Sequence, residues 1–286
     1  MTRSPHPREQ AIRELVGLPG RLNRRARAGK SRVPIAAVRR ALDLPEPPCR
    51  ELLAADRWLA GGAVMRWLSR GLGRAEDDPG DYDFSVPSVE ALNRTVEELL
   101  AAGFTFRTFR SIKLMCPLCA GPGRLVPRER DQPRDPKMTI LPIRCPECGE
   151  LDPEDTGSFP ADRLLRLTPE LIRDNVVRAV ELLSPRGELI QLAARGIRPT
   201  PGETVAAFDF SVSQFGLDDE YLYFGPYAWT DLLRRRLRLV VRNNTSYYRV
   251  RKLLAMGFRP YADTAAWCLW IWAGWLLGRL RRRQKT

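Results

Sequence analysis

The sequence predicts an α+β fold, with short strands and capped helices interspersed along 286 residues whose 44% apolar content can build a sizeable core. Three observations carry that expectation. Leu59-Ala60 runs through Gly61-Gly62 into a helical stretch, and Asp81-Tyr82-Asp83-Phe84 then alternates in character as a strand does. Ser88 opens a long amphipathic segment that stops at Gly103, the pattern of a capped helix. Cys116, Cys119, Cys145 and Cys148 interrupt the chain as two C-x2-C pairs.

Taken in order, residues 1 to about 45 form a basic arm carrying Arg24, Arg25, Arg27, Lys30, Arg32, Arg39 and Arg40, with one helix near Pro34 to Leu42. The arm either tracks a phosphate backbone or is a solvated tail. A helix near Glu51 to Ala55, a strand at Arg57 to Ala60 and a helix from Gly62 to Gly71 follow. After the Asp81–Val86 strand and the Ser88 helix, Phe104 to Phe109 and Ile112 to Met115 read as a strand pair. Thr168-Pro169 caps a helix expected to reach Leu183. Glu188 to Ala193 reads as a buried strand, Phe208-Asp209-Phe210 as part of another, and Tyr247 to Met256 as a basic helix closed by Gly257.

Charge narrows the function. Lys+Arg 47 against Asp+Glu 34 gives +13 and a pI near 10.0, which suits a polyanion or, less specifically, a membrane surface. A generally Arg-rich chain is the plainer alternative. The single histidine, His6, removes most histidine-dependent catalysis. Residues 1 to 30 hold no apolar run of the secretory kind, so the expected location is cytoplasmic.

The acids point to phosphate chemistry. On a strand, Asp81 and Asp83 project to one face and repel unless a cation sits between them. Magnesium suits oxygen ligands and brings phosphates with it. Gly61 and Gly62 would present bare N–H groups and a helix N-terminus to a phosphate. Asp209, between two phenylalanines, needs a metal or a basic partner. The simpler reading makes Asp81 and Asp83 turn residues after Pro79-Gly80. Arg234 to Arg236, Arg249, Arg251 and Lys252 suit a triphosphate or a nucleic-acid backbone, or are solvated charges. Tyr247 and Tyr248 either stack on a base or pack in the core.

Four thiolates at this spacing predict a structural zinc site, with two disulfides as the alternative. The Pro122 to Pro136 stretch between the pairs makes an exposed loop. Such a segment stabilises an inserted subdomain or, through Arg124, Arg128 and Arg130, grips a nucleic-acid acceptor. Ala265 to Gly278, with four tryptophans and no charge, is short for a membrane span. It reads first as a core or partner helix, then as an interfacial anchor.

Gly-Gly-Ala-Val, then Asp-Tyr-Asp-Phe, then Phe-Asp-Phe resembles the polymerase-beta-like nucleotidyltransferase superfamily, nearest the catalytic head of CCA-adding enzymes and poly(A) polymerases. Within that group it is similar to the small phage and bacterial type, in which a strand like Leu189-Ile190-Gln191-Leu192 and a basic segment like Arg249 to Leu254 complete the unit. The likeness covers roughly residues 56 to 114 and 186 to 260. It implies a mixed sheet flanked by helices, with Asp81, Asp83 and Asp209 as carboxylates of a two-metal magnesium site. It further implies Gly61 and Gly62 as the turn over an NTP's triphosphate; Arg66, Arg249 and Lys252 are the further residues expected at the nucleotide, Arg66 from a shifted register. Met65-Arg66 stands where the family has Arg-Asp, a departure at the nucleotide loop.

The expected organisation is a basic arm (1–48), a nucleotidyltransferase core in two parts (49–114 and 186–262), a zinc-binding insertion (115–185) and an apolar Trp-rich helix with a basic tail (263–286). The expected function is magnesium-dependent transfer of a nucleoside monophosphate from an NTP to an acceptor hydroxyl, with RNA or tRNA as the candidate acceptor. The alternatives are a zinc-ribbon nucleic-acid binder on an inactive head, and a toxin or defence factor using the same chemistry.

Overall fold

The computed structural model describes residues 7–15, 32–74, 81–110, 126–127, 143–145, 149–150, 179–194, 196–242 and 246–269. Helix α1 (Pro7–Leu15) turns Ile12 inward, and its Arg8 donates to the Gly71 carbonyl and pairs with Asp43. Strand β1 (Arg32–Pro34) runs directly into α2 (Ile35–Leu42), whose Ile35, Val38 and Leu42 form one buried stripe. The helix expected over Glu51 to Ala55 is instead a single 3-10 turn, Arg50–Leu52. Leu53 is already extended there, which leaves no room for another turn before β2 (Trp58–Ala60).

Helix α3 (Gly62–Gly71) is buried on nearly all sides. Strand β3 (Asp81–Ser85) leads to α4 (Val89–Ala101), where the Ser88 hydroxyl accepts from the Ala91 N–H at 3.1 Å as the sequence requires of an N-cap. Strand β4 (Thr105–Arg110) follows, then three short strands, β5 (Val126–Pro127), β6 (Ile143–Cys145) and β7 (Gly149–Glu150), in a small antiparallel sheet. Next come β8 (Ala179–Leu183), β9 (Leu189–Ala193), α5 (Pro201–Ala206), β10 (Phe215–Leu217) and β11 (Tyr221–Phe224). Helix α6 (Ala228–Arg234), β12 (Arg236–Leu237), α7 (Ser246–Ala255) and β13 (Arg259–Pro260) lead to a last helical stretch at 262–269.

Eight strands form a mixed sheet in the order β1-β11-β10-β2-β3-β9-β8-β4, with β3 and β9 parallel. The chain divides into two compact units, one of Met1–Ala55, Ala60–Asp78 and Pro201–Thr286, the other of Asp56–Leu59 and Pro79–Thr200.

In the second unit, register sorts the side chains. Phe84, Ile190, Leu192, Val180 and Leu182 share one face and are buried together. Leu92, Val96 and Leu99 of α4 complete that apolar core. The opposite face is polar: Asp83, Gln191 and Glu181 stand side by side across three strands. Val180 and Leu182 alternate with Glu181, which is why 179–183 is a strand although the sequence suggested the end of a helix. The start of that expected helix, at Thr168, lies outside the described residues. Strand β4 pairs with β8, while the partner expected for it, Ile112 to Met115, also lies outside them. The register brings Arg110 opposite Ala179.

In the first unit, Trp229 lies edge-on to Phe215 and Phe224, with ring centroids 5.1 and 6.3 Å away. Val64, Leu68, Phe210, Leu222 and Leu232 fill the space around them. Arg74 donates to the carbonyls of Leu232 and Leu233 at 2.7 and 2.9 Å, capping the end of α6. Of the apolar stretch expected over 265–278, residues to 269 are helical and the remainder lies outside the described residues. Among the described residues no helix is long and apolar enough to cross a membrane.

Candidate functional site

The glycine turn is built as its sequence demands. Gly61 has φ +79° and ψ −131°, a conformation side chains disfavour, and so turns the chain sharply from β2 into α3. Its N–H donates to the Phe215 carbonyl at 2.8 Å, and the Phe208 ring lies directly against it. Gly62 opens α3, and the Arg66 guanidinium folds back beside it. Met65 and Arg66 are both buried, so the dipeptide after the glycine pair is turned largely into the protein. Arg66 nonetheless brings a positive charge to the positive end of a helix, an arrangement that attracts anions.

Asp209 is not on a strand. Phe208-Asp209-Phe210 has a strand's alternation, but α5 ends just before it and the segment turns. Only Phe210 makes a bridge, to Leu239, before the 3-10 turn Ser211–Ser213. The Asp209 carbonyl accepts from Val240 N at 2.7 Å and Val241 N at 3.2 Å, which anchors the acid from behind. Its side chain is 2% exposed. Oδ1 accepts from Arg249 Nη1 at 3.0 Å and from the Phe210 N–H at 3.1 Å, while Oδ2 is buried without a hydrogen-bond partner. The basic partner expected for an acid between two phenylalanines is therefore Arg249, which stays 53% exposed on α7. Lys252, one turn along α7, is exposed. The first unit thus brings together Gly61, Gly62 and Arg66 at one helix end, and Asp209 with Arg249 at another point of the same unit.

Asp81 and Asp83 occupy one face of β3, as alternation required. Asp81 Oδ2 accepts from Gln191 Nε2 at 3.2 Å, and Gln191 itself is 4% exposed. Asp83 is solvent-exposed and opposite Gln191 in the parallel register. Gln191 was not singled out from sequence; its signal was an amide in the middle of the apolar run Leu189–Ala193. Glu181, beside it and also buried, gave no comparable signal because the stretch was expected to be helical.

Among the described residues, no three His, Cys, Asp or Glu side chains gather closely enough to hold a metal ion. The pair Asp81 and Asp83 still offers what magnesium takes from a protein, one or two carboxylates, with water and phosphate completing the shell. The orphaned Oδ2 of Asp209 is likewise an acceptor suited to a cation. For the expected zinc site, Cys145 ends β6 opposite Gly149 in β7, whereas Cys116, Cys119 and Cys148 lie outside the described residues.

Residues 232–262 carry nine Arg or Lys and no Asp or Glu. Two of them, Arg236 and Arg259, stand opposite each other in the β12–β13 pair, a like-charge juxtaposition that an anion would relieve. Arg236 stacks on Tyr261, and Arg238 stacks on Tyr261 and on Tyr227, at 4.3 to 4.4 Å from the ring centroids. Arg238 also pairs with fully buried Asp231, whose other acceptor positions take Ser211 Oγ and Tyr261 OH.

No known family's sequence profile matches the chain, and no curated protein sequence does. Some solved structures are similar to it at low identity. The Thermotoga maritima CCA-adding enzyme complexed with tRNA shares 13% identity over 84% of this chain and 45% of its own, with a TM-score of 0.42. A CCA-adding enzyme in complex with CTP shares 12% over 87% and 48%, with a TM-score of 0.43. An apo CCA-adding enzyme shares 14% over 78% and 40%, with a TM-score of 0.39. The chain spans less than half the length of each.

Proposed function

We propose that the chain is a magnesium-dependent nucleotidyltransferase that moves a nucleoside monophosphate from an NTP onto an acceptor hydroxyl, with RNA, including tRNA, as the acceptor class. The observation that carries this reading is the pair Asp81 and Asp83 on one strand face, with Gln191 donating to Asp81. Support comes from the Gly61 turn, which spends its own N–H on the Phe215 carbonyl and starts α3 at Gly62 with the Arg66 guanidinium beside it. The nine cations of 232–262 give the acceptor's phosphates somewhere to lie.

In the transfer, the acceptor oxygen bonds to the α-phosphorus, the bridge to the β-phosphate breaks, pyrophosphate leaves with the bonding electrons, and the hydroxyl proton is released. Bound divalent ions supply charge neutralisation at the attacking and leaving oxygens. Asp81 and Asp83 would hold the metal through their carboxylates, with Asp209 as the third acid of the proposed set. Gly61, Gly62 and Arg66 receive the triphosphate, while Arg249 and Lys252 add positive charge. Cys116, Cys119, Cys145 and Cys148 would hold a structural zinc, which would staple the insertion.

A second reading is favoured by one observation, the ion pair that engages Asp209 with Arg249. In it, the head is inactive and binds nucleic acid. The test is transfer of label from α-labelled NTP to bulk RNA, with Asp83→Ala as control. Label that reaches RNA with wild type and is lost with Asp83→Ala upholds the first reading. Absence of transfer together with absence of Mg-NTP binding overturns it. RNA binding that survives Asp83→Ala and disappears with Cys116→Ser upholds the second.

A further inference from the structure

We infer that Gln214 is a positioning residue, resting on the nucleotidyltransferase reading, that ties the glycine turn and Asp209 into one rigid piece. Gln214 is 1% exposed, and its Nε2 donates to the Phe208 carbonyl at 3.2 Å and to the Ala206 carbonyl at 3.5 Å. Those two carbonyls close the end of α5 and immediately precede Asp209. The Gln214 backbone is fixed as well: its N–H donates to Ser211 and its carbonyl accepts from Gly225 at 2.9 Å. The next residue, Phe215, accepts the Gly61 N–H through its carbonyl, and the Phe208 ring covers Gly61 from the other side. One residue therefore joins the two pieces of chain that flank Gly61: its side-chain amide holds the Ala206–Phe208 end, and its backbone fixes the chain just before Phe215.

The side chain is there for its N–H groups. Its Oε1 is buried with no hydrogen-bond partner, a penalty that an apolar residue of the same length would avoid. Gly225 makes the room: a Cβ there would run into Gln214 Oε1 and stand 2.8 Å from Gln214 Cβ. Neither Gln214 nor Gly225 touches the acids or the glycine turn by its own side chain. Both act through Phe208 and Phe215.

Two variants reach the same amide from opposite sides. Gln214→Met keeps the length and removes both donors; Gly225→Ala pushes the amide off its carbonyls. Ser88→Ala, in the other unit, is the control for a general loss of stability. The first readout is hydrogen exchange in the segment 59–65, which contains the Gly61 amide and needs no ligand. Exchange there rises about fivefold, the equivalent of one typical hydrogen bond, in Gln214→Met and in Gly225→Ala and is unchanged in Ser88→Ala. The second is steady-state transfer, in which kcat falls about fivefold while KM for the NTP stays within about twofold. Unchanged protection of 59–65 in a folded Gln214→Met or Gly225→Ala protein overturns the proposal. A wild-type protein that binds no Mg-NTP overturns the nucleotidyltransferase reading instead, and the exchange measurement alone then decides whether Gln214 couples the two segments.

Discussion

Replacing Gly61 with alanine tests the glycine turn by two independent physical terms. The first is backbone strain, because φ +79° with ψ −131° is a conformation costing a side-chain-bearing residue about 1–3 kcal/mol. The second is steric, because a Cβ on Gly61 would lie 3.1 Å from two carbons of the Phe208 ring. Phe208 is half-buried with its backbone carbonyl held by Gln214, so displacing the ring by a few tenths of an ångström costs up to about 1–3 kcal/mol more. Gly61→Ala is therefore expected to destabilise the first unit by about 2–6 kcal/mol. Gly62→Ala is the matched neighbour. Its Cβ would meet only the Arg66 guanidinium at 3.6 to 3.8 Å, an ordinary contact, and alanine suits a helix better than glycine. Urea titrations followed by tryptophan fluorescence should show a large fall in midpoint for Gly61→Ala, and none or a small rise for Gly62→Ala. Adding Phe208→Ala to Gly61→Ala should recover the steric part and leave the backbone part. A Gly61→Ala protein as stable as Gly62→Ala would refute this account of the turn.

Three further expectations follow from single contacts. Arg249→Met leaves the Asp209 carboxylate buried without its charged partner and should destabilise by about 1–3 kcal/mol, the arginine being half-exposed. Added Mg2+ should raise the thermal midpoint of that variant more than that of wild type, and Asp209→Asn in the same chain should remove both effects. Ser88→Ala removes the acceptor for the Ala91 N–H and should cost about 1 kcal/mol in chemical denaturation. Tyr223 is pushed up from 10.0 to about 12, chiefly by burial and then by the Asp218 carboxylate that accepts its hydroxyl at 2.7 Å, with Arg32 opposing. The unfolded chain then loses this proton first, so the contribution is intact below about pH 10 and is lost as pH rises through 12. Tyr223→Phe should flatten the fall in stability over that window, and a fall as steep as wild type's would contradict it.

Local rules made much of the molecule readable. The alternation in Asp81-Tyr82-Asp83-Phe84, the Ser88 cap and the glycine pair each depend on neighbours a few residues away, and each stands where the sequence put it. Non-local pairing explains what was missed. Residues 179–183 follow a stretch whose sequence reads as a capped helix, yet their alternation becomes a strand once β4 and β9 lie on either side. Asp209 has a strand's flanking residues, but anchoring by Val240 and Val241 makes it part of a turn. Gln191 and Gln214 are ordinary amides in sequence. Their importance comes from being buried against Asp81 and against the end of α5, which no short pattern encodes.

The β4–β8 pairing carries a consequence for how this chain could have been assembled. Arg110 and Ala179 face each other in register, so the chain leaves the sheet and returns to it at adjacent points, with 68 residues in between. A tight turn could join the same two positions without changing any strand partner. Loop-closure entropy rises only slowly with length, so carrying the long excursion costs about 2–3 kcal/mol over a short hairpin. The cysteine-bearing stretch is thus a cassette, one that a lineage could acquire, exchange or discard while the sheet beneath it kept its wiring.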